Sequence, residues 1–524
     1  MTSKRQCEVR SACDRTIRAL LIALLVSVAA CTTVGPDFVQ PEAPVNEQWL
    51  DEDAEHFRTT PQELTVWWRV FEDPVLEELV RLTHERNNNL KIVGLRVLEA
   101  QANLGIATGS RYPQLQVLTG QALAIGTSEG DENSVVSDLD FRKYDLGVAV
   151  SWEMDFWGRF RRGIESADAA LLASIASYDD LFVLLTASVA DVYTIIRTLE
   201  EQLLVTAENL ANQQRSYDIV KVLYENGESS ELDMIQARTL LLSTQAAVPE
   251  LKKGLRQAKN ALSTLIGMPP ADLSELLAPT ARPRVPDNIL VGFPGDLLRQ
   301  RPDIRQAEML ARAQNAAVGL SEANLYPSFS IGGSLGISST ENTNSTRSND
   351  DGIGGLFDTG NLTYAVGPSF VWPFLNYGRI KNSVRVQDAR LQQALINYRE
   401  TVIQAAREIE DAMAAYSNAL IQDEILTETV AAAERSTELA LLRYKEGLAD
   451  YQRVLTAQQA LFTQQARYVS NKGEMVSSLI AVYRALGGGW QTRGASFVDD
   501  ETRQIMNERT DWGELLQSPD NVPE

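Results

Sequence analysis

Two long stretches of the chain carry apolar residues at alternating steps of four and three, the spacing of a coiled-coil helix face. The first stretch runs through Leu171, Ile175, Tyr178, Phe182, Leu185, Val189, Val192, Ile196, Leu199 and Leu203. No proline interrupts the chain between Gly158 and Glu225. The pattern therefore predicts one helix of about 65 residues, roughly 100 Å long, with a second helix returning after Gly227.

The second stretch repeats the first in the same register, 220 residues later. It contains Leu391, Leu395, Tyr398, Val402, Ala405, Ile409, Ala412, Tyr416 and Ala419. The same offset relates Trp152 to Trp372 and Gly227 to Gly447, so the turns match as well. We interpret the chain as a duplication, mainly α-helical, in which each half holds a long helical hairpin.

Between these helices the hydrophobic period changes to two, which is typical of β-strands. The alternating positions are Leu146, Val148, Val150 and Trp152 in the first half and Leu362, Tyr364, Val366, Pro368 and Phe370 in the second. Together with residues 113–123 and 327–337 they predict two hairpins, with polar loops around 128–140 and 338–361. Each chain therefore supplies four strands.

The strand ends next to the helices are rich in aromatic residues. Trp152, Trp157, Trp372 and Tyr377 are candidates for an aromatic girdle at a membrane interface. A sheet that crosses lipid must close, and single-chain barrels have about eight strands or more. Four strands cannot close, so a membrane location predicts that several chains share one barrel; three chains would give twelve strands. The alternative is a soluble sheet packed on a helical body.

The N-terminus predicts export and lipid attachment. Five basic residues precede the apolar run 19–30, which ends in Val28-Ala29-Ala30-Cys31. This run is typical of a signal peptide, and small residues before a cysteine indicate acylation of Cys31. Thr32 favours sorting to the outer membrane. The alternative is ordinary cleavage with Cys31 incidental.

Composition excludes several functional classes. The net charge is −22, with a pI near 4.7, which disfavours a nucleic-acid partner. The chain has two histidines, and its three cysteines lie within the first 31 residues, so we expect no metal site and no cofactor. It also lacks the nucleophile, phosphate-binding and dinucleotide motifs of common enzymes, and we predict no catalysis.

Several short motifs in order resemble the outer-membrane components of tripartite efflux pumps, the lipoprotein branch of the TolC/OprM-like family, also called NodT-like. They are Cys31 with Val34-Gly35-Pro36-Asp37-Phe38, Trp67-Trp68 with Asp73-Pro74, Arg301-Pro302-Asp303-Ile304, Trp372-Pro373-Phe374, and Arg443-Tyr444 with Gly447 and Tyr451-Gln452-Arg453-Val454-Leu455. The resemblance implies a homotrimer with a twelve-stranded barrel, a helical periplasmic tunnel and an equatorial region. It also implies a lipid-anchored location in the outer membrane.

The resemblance further implies partners and a cargo. The partners are a periplasmic adaptor (membrane fusion protein), an inner-membrane transporter of the RND type and outer-membrane lipid. The cargo would be small molecules such as drugs; metal-ion efflux and type I protein secretion are the alternatives. A periplasmic adaptor itself would have one helical hairpin and would lack the duplication.

The expected organisation follows from the repeat and the resemblance. We assign 1–30 to a lipoprotein signal peptide, 31–70 to an N-terminal equatorial segment, 71–267 to the first repeat, 268–295 to an equatorial linker, 296–487 to the second repeat and 488–524 to a C-terminal equatorial segment. The acidic stretch 499–524 shows no apolar period, so we expect a mobile tail there.

The two turns at the far ends of the helices form the periplasmic entrance in this family. The residues implied as the gate are Asp233, Asp450, Tyr444 and Arg453, acting as carboxylates with tyrosine and arginine partners. The alternative for Asp450 is that it caps the following helix. Gly227 and Gly447 are expected to supply the positive φ that ends a helix. Thr456 stands where many relatives carry aspartate, which disfavours an acidic ring at that level.

Overall fold

A computed structural model of the chain describes residues 33–46, 49–50, 57–59, 64–126, 141–277, 289–291, 298–342, 352–494 and 496–516. The predicted signal peptide, Cys31 and the loop around 128–140 lie outside these residues. The chain divides into two compact units. The strand unit comprises 1–40, 100–171 and 309–396, and the helical unit comprises 41–99, 172–308 and 397–524.

The described helices follow the predicted duplication. They are α1 (Pro74–Arg86), α2 (Asn88–Gly109), α3 (Arg159–Glu225), α4 (Glu231–Leu265), α5 (Pro302–Ala323), α6 (Arg379–Lys445), α7 (Tyr451–Ala485) and α8 (Asp500–Arg509). The long helices α3 and α6 have 67 residues each, and the returning helices α4 and α7 have 35 each. Both pairs begin 220 residues apart, which confirms the predicted long helices and their register.

The strands form two sheets. A short parallel pair joins β1 (Phe57–Thr59) to β4 (Ile289–Val291). The other sheet contains β2 (Leu115–Ile125), β3 (Phe141–Met154), β5 (Ser328–Asn342) and β6 (Leu362–Val371), antiparallel in the order β2-β3-β5-β6. The two predicted hairpins are confirmed. The second loop begins later than the predicted residue 338, because polar residues up to Asn342 still pair with β3 through their backbone.

The helical unit has an apolar core that also contains buried polar contacts. Trp67 stacks on Tyr483 with ring centroids 5.3 Å apart. The Tyr193 hydroxyl donates to the carboxylate of Asp73, which also caps α1. Within α3, one window is apolar enough to cross a membrane by composition, but 61% of that window is buried inside the protein, as in an ordinary core helix.

The C-terminal stretch differs from the prediction. Residues Asp500–Arg509 form α8, and Asp499 caps it by accepting from the Thr502 amide at 3.0 Å. Met506 and Leu516 are buried with Leu98 of α2 in a small apolar cluster. The prediction of a mobile tail from 499 onwards was therefore wrong up to residue 516. Packing of Val498, Met506 and Leu516 against Leu98 thus orders a segment that shows no periodicity.

Candidate functional site

One face of the sheet is apolar and exposed in the single chain along three of its four strands, β3, β5 and β6. Its side chains come from three neighbouring strands and are Leu146, Val148, Val150, Trp152, Ile331, Leu335, Leu362, Tyr364, Val366 and Phe370. Tyr364 and Val366 are 78% and 77% exposed. Contiguous apolar surface of this extent requires cover by another protein surface or by lipid.

The opposite face of the same three strands carries small and polar side chains, including Gly147, Ser151, Ser330, Ser334, Gly336, Thr363 and Ala365. The strands approach closely there: a Cβ at Gly336 would lie 3.1 Å from the Leu146 carbonyl oxygen. In the described part of the chain, β2 and β6 each pair on one side only. Pro368 fits this arrangement, because proline is tolerated on edge strands.

Two predicted interface tryptophans occupy equivalent places in the two repeats. The Trp152 indole donates to the Arg111 carbonyl oxygen, and the Trp372 indole donates to the Leu325 carbonyl oxygen, both at 3.1 Å. Both rings remain about half exposed, at 40% and 51%. A half-exposed ring with a satisfied N–H suits a boundary between apolar and polar surroundings.

The other two predicted aromatics behave differently from each other. Trp157 is half-buried, stacks on Tyr326 at 4.7 Å and donates to the Pro327 carbonyl oxygen. Tyr377 is 98% exposed and has a positive φ of 51°. Trp157 therefore contributes packing within the strand unit, whereas Tyr377 leaves its ring free for an outside contact.

Residues 33–40 belong to the strand unit, so the predicted equatorial segment 31–70 does not lie in one unit. The cause is Arg162, which is 3% exposed. Its guanidinium donates to the carbonyl oxygens of Val34 and Gly35 and to the Asp37 carboxylate, at 3.2, 3.1 and 2.8 Å. Sequence reasoning singled out the Val-Gly-Pro-Asp motif but missed Arg162, because nothing in one sequence relates positions this far apart.

The two turns that join the long helices have the same backbone. Gly227 and Gly447 have φ of 76° and 70°, as predicted from their positions after a helix. Each glycine amide donates to the carbonyl of the tyrosine three residues earlier, Tyr224 or Tyr444. The next amide reaches back five residues, which completes a Schellman motif in both turns.

Asp233 and Tyr444, two of the four predicted gate residues, are joined through Ser229. The Ser229 hydroxyl donates to the Asp233 carboxylate at 3.2 Å and lies 3.4 Å from the Tyr444 hydroxyl. The Asp233 amide donates to the Ser230 hydroxyl, which caps α4. Both serines went unnoticed in the sequence, although a serine pair directly before a helix is a usual capping signal.

The other two predicted gate residues are not joined to these. Asp450 holds the capping position of α7, yet its side chain accepts no capping hydrogen bond. Arg453 lies in a groove between α6 and α7 that Arg443 also lines. Within the described residues, neither the Asp450 carboxylate nor the Arg453 guanidinium has a side-chain partner. Both charges are therefore available to a group outside the chain.

The two turns carry opposite charge. Residues 223–233 contain four carboxylates and no basic side chain, whereas 443–453 contain three basic side chains and two carboxylates. Asp233 in the first turn corresponds to Arg453 in the second under the 220-residue offset. The two turns therefore present unlike charges at corresponding positions.

The helical unit holds titratable groups that burial affects, among them Asp179 on α3 and His84 on α1. Asp179 is fully buried, with guanidinium nitrogens of Arg493 and Arg305 at 3.0 and 3.7 Å, and burial raises its pKa to about 6. Burial also lowers the pKa of His84, which stacks on Phe182, to about 4. Among the described residues no cluster of three or more His, Cys, Asp or Glu side chains could hold a metal.

These features are a four-stranded sheet with exposed apolar side chains and two long helical hairpins that repeat each other. The family described as outer membrane efflux protein matches residues 79–268 and 293–488. The chain belongs to that family. It is an outer-membrane channel component of an efflux system, and the predicted mainly α fold with duplicated helices and a small sheet is confirmed.

Individual relatives extend over nearly the whole chain. The pyoverdine export outer membrane protein OpmQ of Pseudomonas putida is 29% identical, covering 90% of this chain and 97% of its own length. The solvent efflux pump outer membrane protein SrpC of Pseudomonas putida is 30% identical, covering 90% and 98%. The solved outer-membrane channel OprN is 30% identical with a TM-score of 0.80, covering 88% of this chain and 100% of its own.

Proposed function

We propose that three copies of the chain close one twelve-stranded barrel, whose apolar face meets lipid and whose polar face lines the duct. The observation that carries this proposal is the exposed apolar face of β3, β5 and β6, which lies opposite a face where these three strands carry mostly small and polar residues. The edges of β2 and β6 support it, because each has backbone groups left to pair with a neighbour. Three chains of four strands reach the number that a closed membrane sheet requires.

The acyl chains on Cys31 tether each copy to the periplasmic leaflet in this proposal. The described chain begins at Thr33, which lies against Gly158 at the start of α3, next to the strand ends. A lipid together with a shared barrel gives stable attachment to the membrane. Trp152, Trp372 and Tyr377 would lie at the same interface.

The turns around Gly227 and Gly447 close the periplasmic end of the duct, with Asp233, Tyr444, Asp450 and Arg453 as the gate. Two observations support this assignment. Asp450 and Arg453 have no partner within the described chain, and the two turns carry opposite charge. A neighbour's acidic turn can therefore pair with Arg453, and opening requires these links to break.

A periplasmic adaptor and an inner-membrane RND-type transporter supply the cargo, which consists of small molecules, and the chain itself catalyses no reaction. The names of the relatives support a broad cargo range, since one exports pyoverdine and another solvents. Metal-ion efflux and type I protein secretion are the second candidates. A strain that lacks this protein separates the candidates: it should accumulate dyes and solvents if small molecules are the cargo, accumulate metal ions if these are the cargo, and lose secreted protein from the medium if the duct serves type I secretion.

Two neighbouring positions of β6 test the barrel directly. Val366 lies on the apolar face and Ala365 on the polar face. We expect Val366→Cys to react with a lipid-soluble thiol probe whose fluorescence brominated lipids quench. Ala365→Cys should react with a charged, membrane-impermeant maleimide and escape that quenching. The background is clean, because the three native cysteines lie at 7, 13 and 31, in the signal peptide or at the acylation site.

Native mass measurement in detergent completes the test and should give a trimer. A monomer or dimer would contradict the shared barrel. Equal reactivity of both cysteines with the charged reagent would show that the apolar face meets water or another soluble surface, and the soluble-sheet alternative would then hold.

A further inference from the structure

A cavity of about 450 Å³ lies in the strand unit, where β3 and β6 end and where β5, α3 and α6 begin. Its wall includes Glu153, Asp155, Arg159 and Arg379, together with the aromatic rings of Trp157 and Tyr326. A concave site with apolar rings and a few charged groups is the usual form of a small-molecule site.

Arg379 is the one charged group of this wall without a partner among the described residues. Arg159 pairs with Glu153 at 3.0 Å, and Asp155 pairs with Arg161 at 3.3 Å. No described carboxylate or other acceptor contacts the Arg379 guanidinium. Among the described residues, the Arg379 guanidinium is therefore the one guanidinium of the wall that has no paired carboxylate, although Glu153 and Asp155 line the same cavity.

The first repeat shows what fills the corresponding place at α3. The Asp155 carboxylate accepts from the Phe160 and Arg161 amides at 3.1 and 3.0 Å, so a negative group occupies the positive end of that helix.

The second repeat has no such group at α6. Leu375 replaces Asp155 under the 220-residue offset and is 70% exposed. No described side chain accepts from the first amides of α6, although the basic residues persist as Arg379 and Lys381. The second repeat thus keeps the donors of an anion site and lacks the internal anion.

The register places the cavity on the polar face of the sheet. Glu153 pairs with Ser330, and Ser328 pairs with Val371, and all four lie on the face opposite Trp152 and Ile331. In the proposed barrel this face lines the duct. A solute in transit can therefore reach the cavity, whereas the headgroup of a lipid on the apolar face cannot.

We propose that this cavity binds the anionic group of an aromatic organic acid in transit, at the place beside α6 that Asp155 fills beside α3. The guanidinium of Arg379 and the free amides of α6 receive the carboxylate, sulfonate or phosphate, and Trp157 and Tyr326 contact the ring. The inference rests on the proposed duct, and it adds a class of solute for which the duct holds a binding site.

The test uses the full-length protein in nonionic detergent and naphthalene-2-sulfonate, whose own fluorescence reports binding. We expect saturable binding that Arg379→Gln weakens about tenfold, the usual effect of losing a charge-assisted contact. Leu375→Asp should weaken it similarly, because it adds the carboxylate that the first repeat has. Leu375→Asn and Arg385→Gln are the matched controls and should leave the affinity unchanged; Arg385 is exposed on α6 and bonds only Asn382 among the described residues.

The source of the anion is distinguished by competition. The protein should bind the probe equally well in nanodiscs that contain phosphatidylglycerol and in nanodiscs of phosphatidylcholine alone. Inorganic sulfate should compete with the probe only weakly, because it has no ring. Competition by phosphatidylglycerol would overturn the solute assignment in favour of a lipid phosphate. Binding that Arg379→Gln leaves unchanged would overturn the site.

Failure of the proposed anion site can be distinguished from failure of the proposed duct. Every variant is also checked for trimer mass and channel conductance. A conducting trimer that binds no probe refutes only the anion site, whereas loss of conductance and trimer together in the wild type refutes the proposed function.

Discussion

The two turns of the helical hairpins share a backbone and differ in their side chains. Both contain a glycine with positive φ and the same pair of backbone hydrogen bonds. In the first, Ser230 caps the returning helix and Asp233 is held by Ser229. In the second, Asp450 stands at the position of Ser230 without capping, and Arg453 stands at the position of Asp233.

This difference shows what a duplication preserves. The glycine and its hydrogen bonds fix the path of the chain, so both copies retain them. Charges at the turn surface do not affect that path and can diverge. Two identical acidic turns would repel each other where copies of the chain meet, whereas an acidic turn and a basic turn attract. The two turns therefore share one backbone and carry unlike charges, which is the arrangement that the proposed gate requires.

The largest expected effect comes from making the second turn acidic like the first. Arg453→Asp should prevent closure and raise the conductance in planar-bilayer recordings more than Arg453→Ala or Asp450→Ala, which remove single links. Asp450→Lys should weaken the cation preference that we expect from the negative charge of the duct. Arg435→Asp is the control, because Arg435 pairs with Glu438 on the surface of α6.

A charge swap decides whether the two turns pair with each other. Asp233→Arg combined with Arg453→Asp exchanges the signs and should restore low conductance. If the double variant conducts as much as Arg453→Asp, the two residues do not face each other across copies. Unchanged conductance in all variants would place the gate elsewhere.

The next largest effect compares a partly buried carboxylate on α3 with an exposed carboxylate at the equivalent position on α6. Burial, with a further contribution from Asp303 and Glu408, raises the pKa of Asp180 on α3 to about 6. Because this exceeds the pKa in the unfolded chain, the ionised carboxylate destabilises the fold above that pH, and the penalty disappears as the pH falls from about 6 towards 4. Asp180→Asn should therefore stabilise the protein by about 2 kcal/mol near neutral pH and by little in acid.

The matched variant is Glu400→Gln, at the equivalent position on the exposed surface of α6. Thermal midpoints in detergent, taken as differences from the wild type at each pH, cancel other titrating groups such as His84. Equal pH profiles for the two variants would show that burial of Asp180 does not control its ionisation.

The periodic parts of this fold could be predicted from the sequence, because each repeats one local rule many times. The seam from Leu171 to Leu203 determines where α3 runs, and the alternation up to Trp152 gives β3. The 220-residue offset added independent support at every matched residue. Gly227 and Gly447 were predictable for the same reason, since a helix that ends requires a residue with positive φ.

Contacts between distant residues could not be predicted in this way. Arg162 binds Val34 and Gly35 across more than a hundred residues, and Met506 packs near Leu98. Such pairs depend on tertiary packing, which leaves no period in the sequence. Asp450 has no side-chain partner among the described residues, and this could not be predicted either, because a carboxylate before a helix usually caps it.

Substituting the turn glycines tests the shared backbone. Gly227→Ala and Gly447→Ala should each lower stability by about 1–2 kcal/mol, because alanine in the left-handed region is strained. A Cβ at either glycine meets no atom within 4 Å, so strain rather than a clash is the cause. Asparagine, which tolerates this region, should restore part of the loss. Different costs in the two turns, measured as thermal midpoints, would contradict the common backbone.

The smallest expected effect separates the two capping positions. Ser230→Ala removes a hydroxyl that accepts from the Asp233 amide at 3.1 Å, and losing such a cap costs about 1 kcal/mol. Asp450→Ala removes a carboxylate that accepts no such bond, so its stability should stay close to that of the wild type. Thermal midpoints and conductance are measured on the same samples. Ser230→Ala should lower the midpoint with little change in conductance, and Asp450→Ala should do the reverse. A lower midpoint with unchanged conductance for Asp450→Ala would make that residue a helix cap and remove it from the gate.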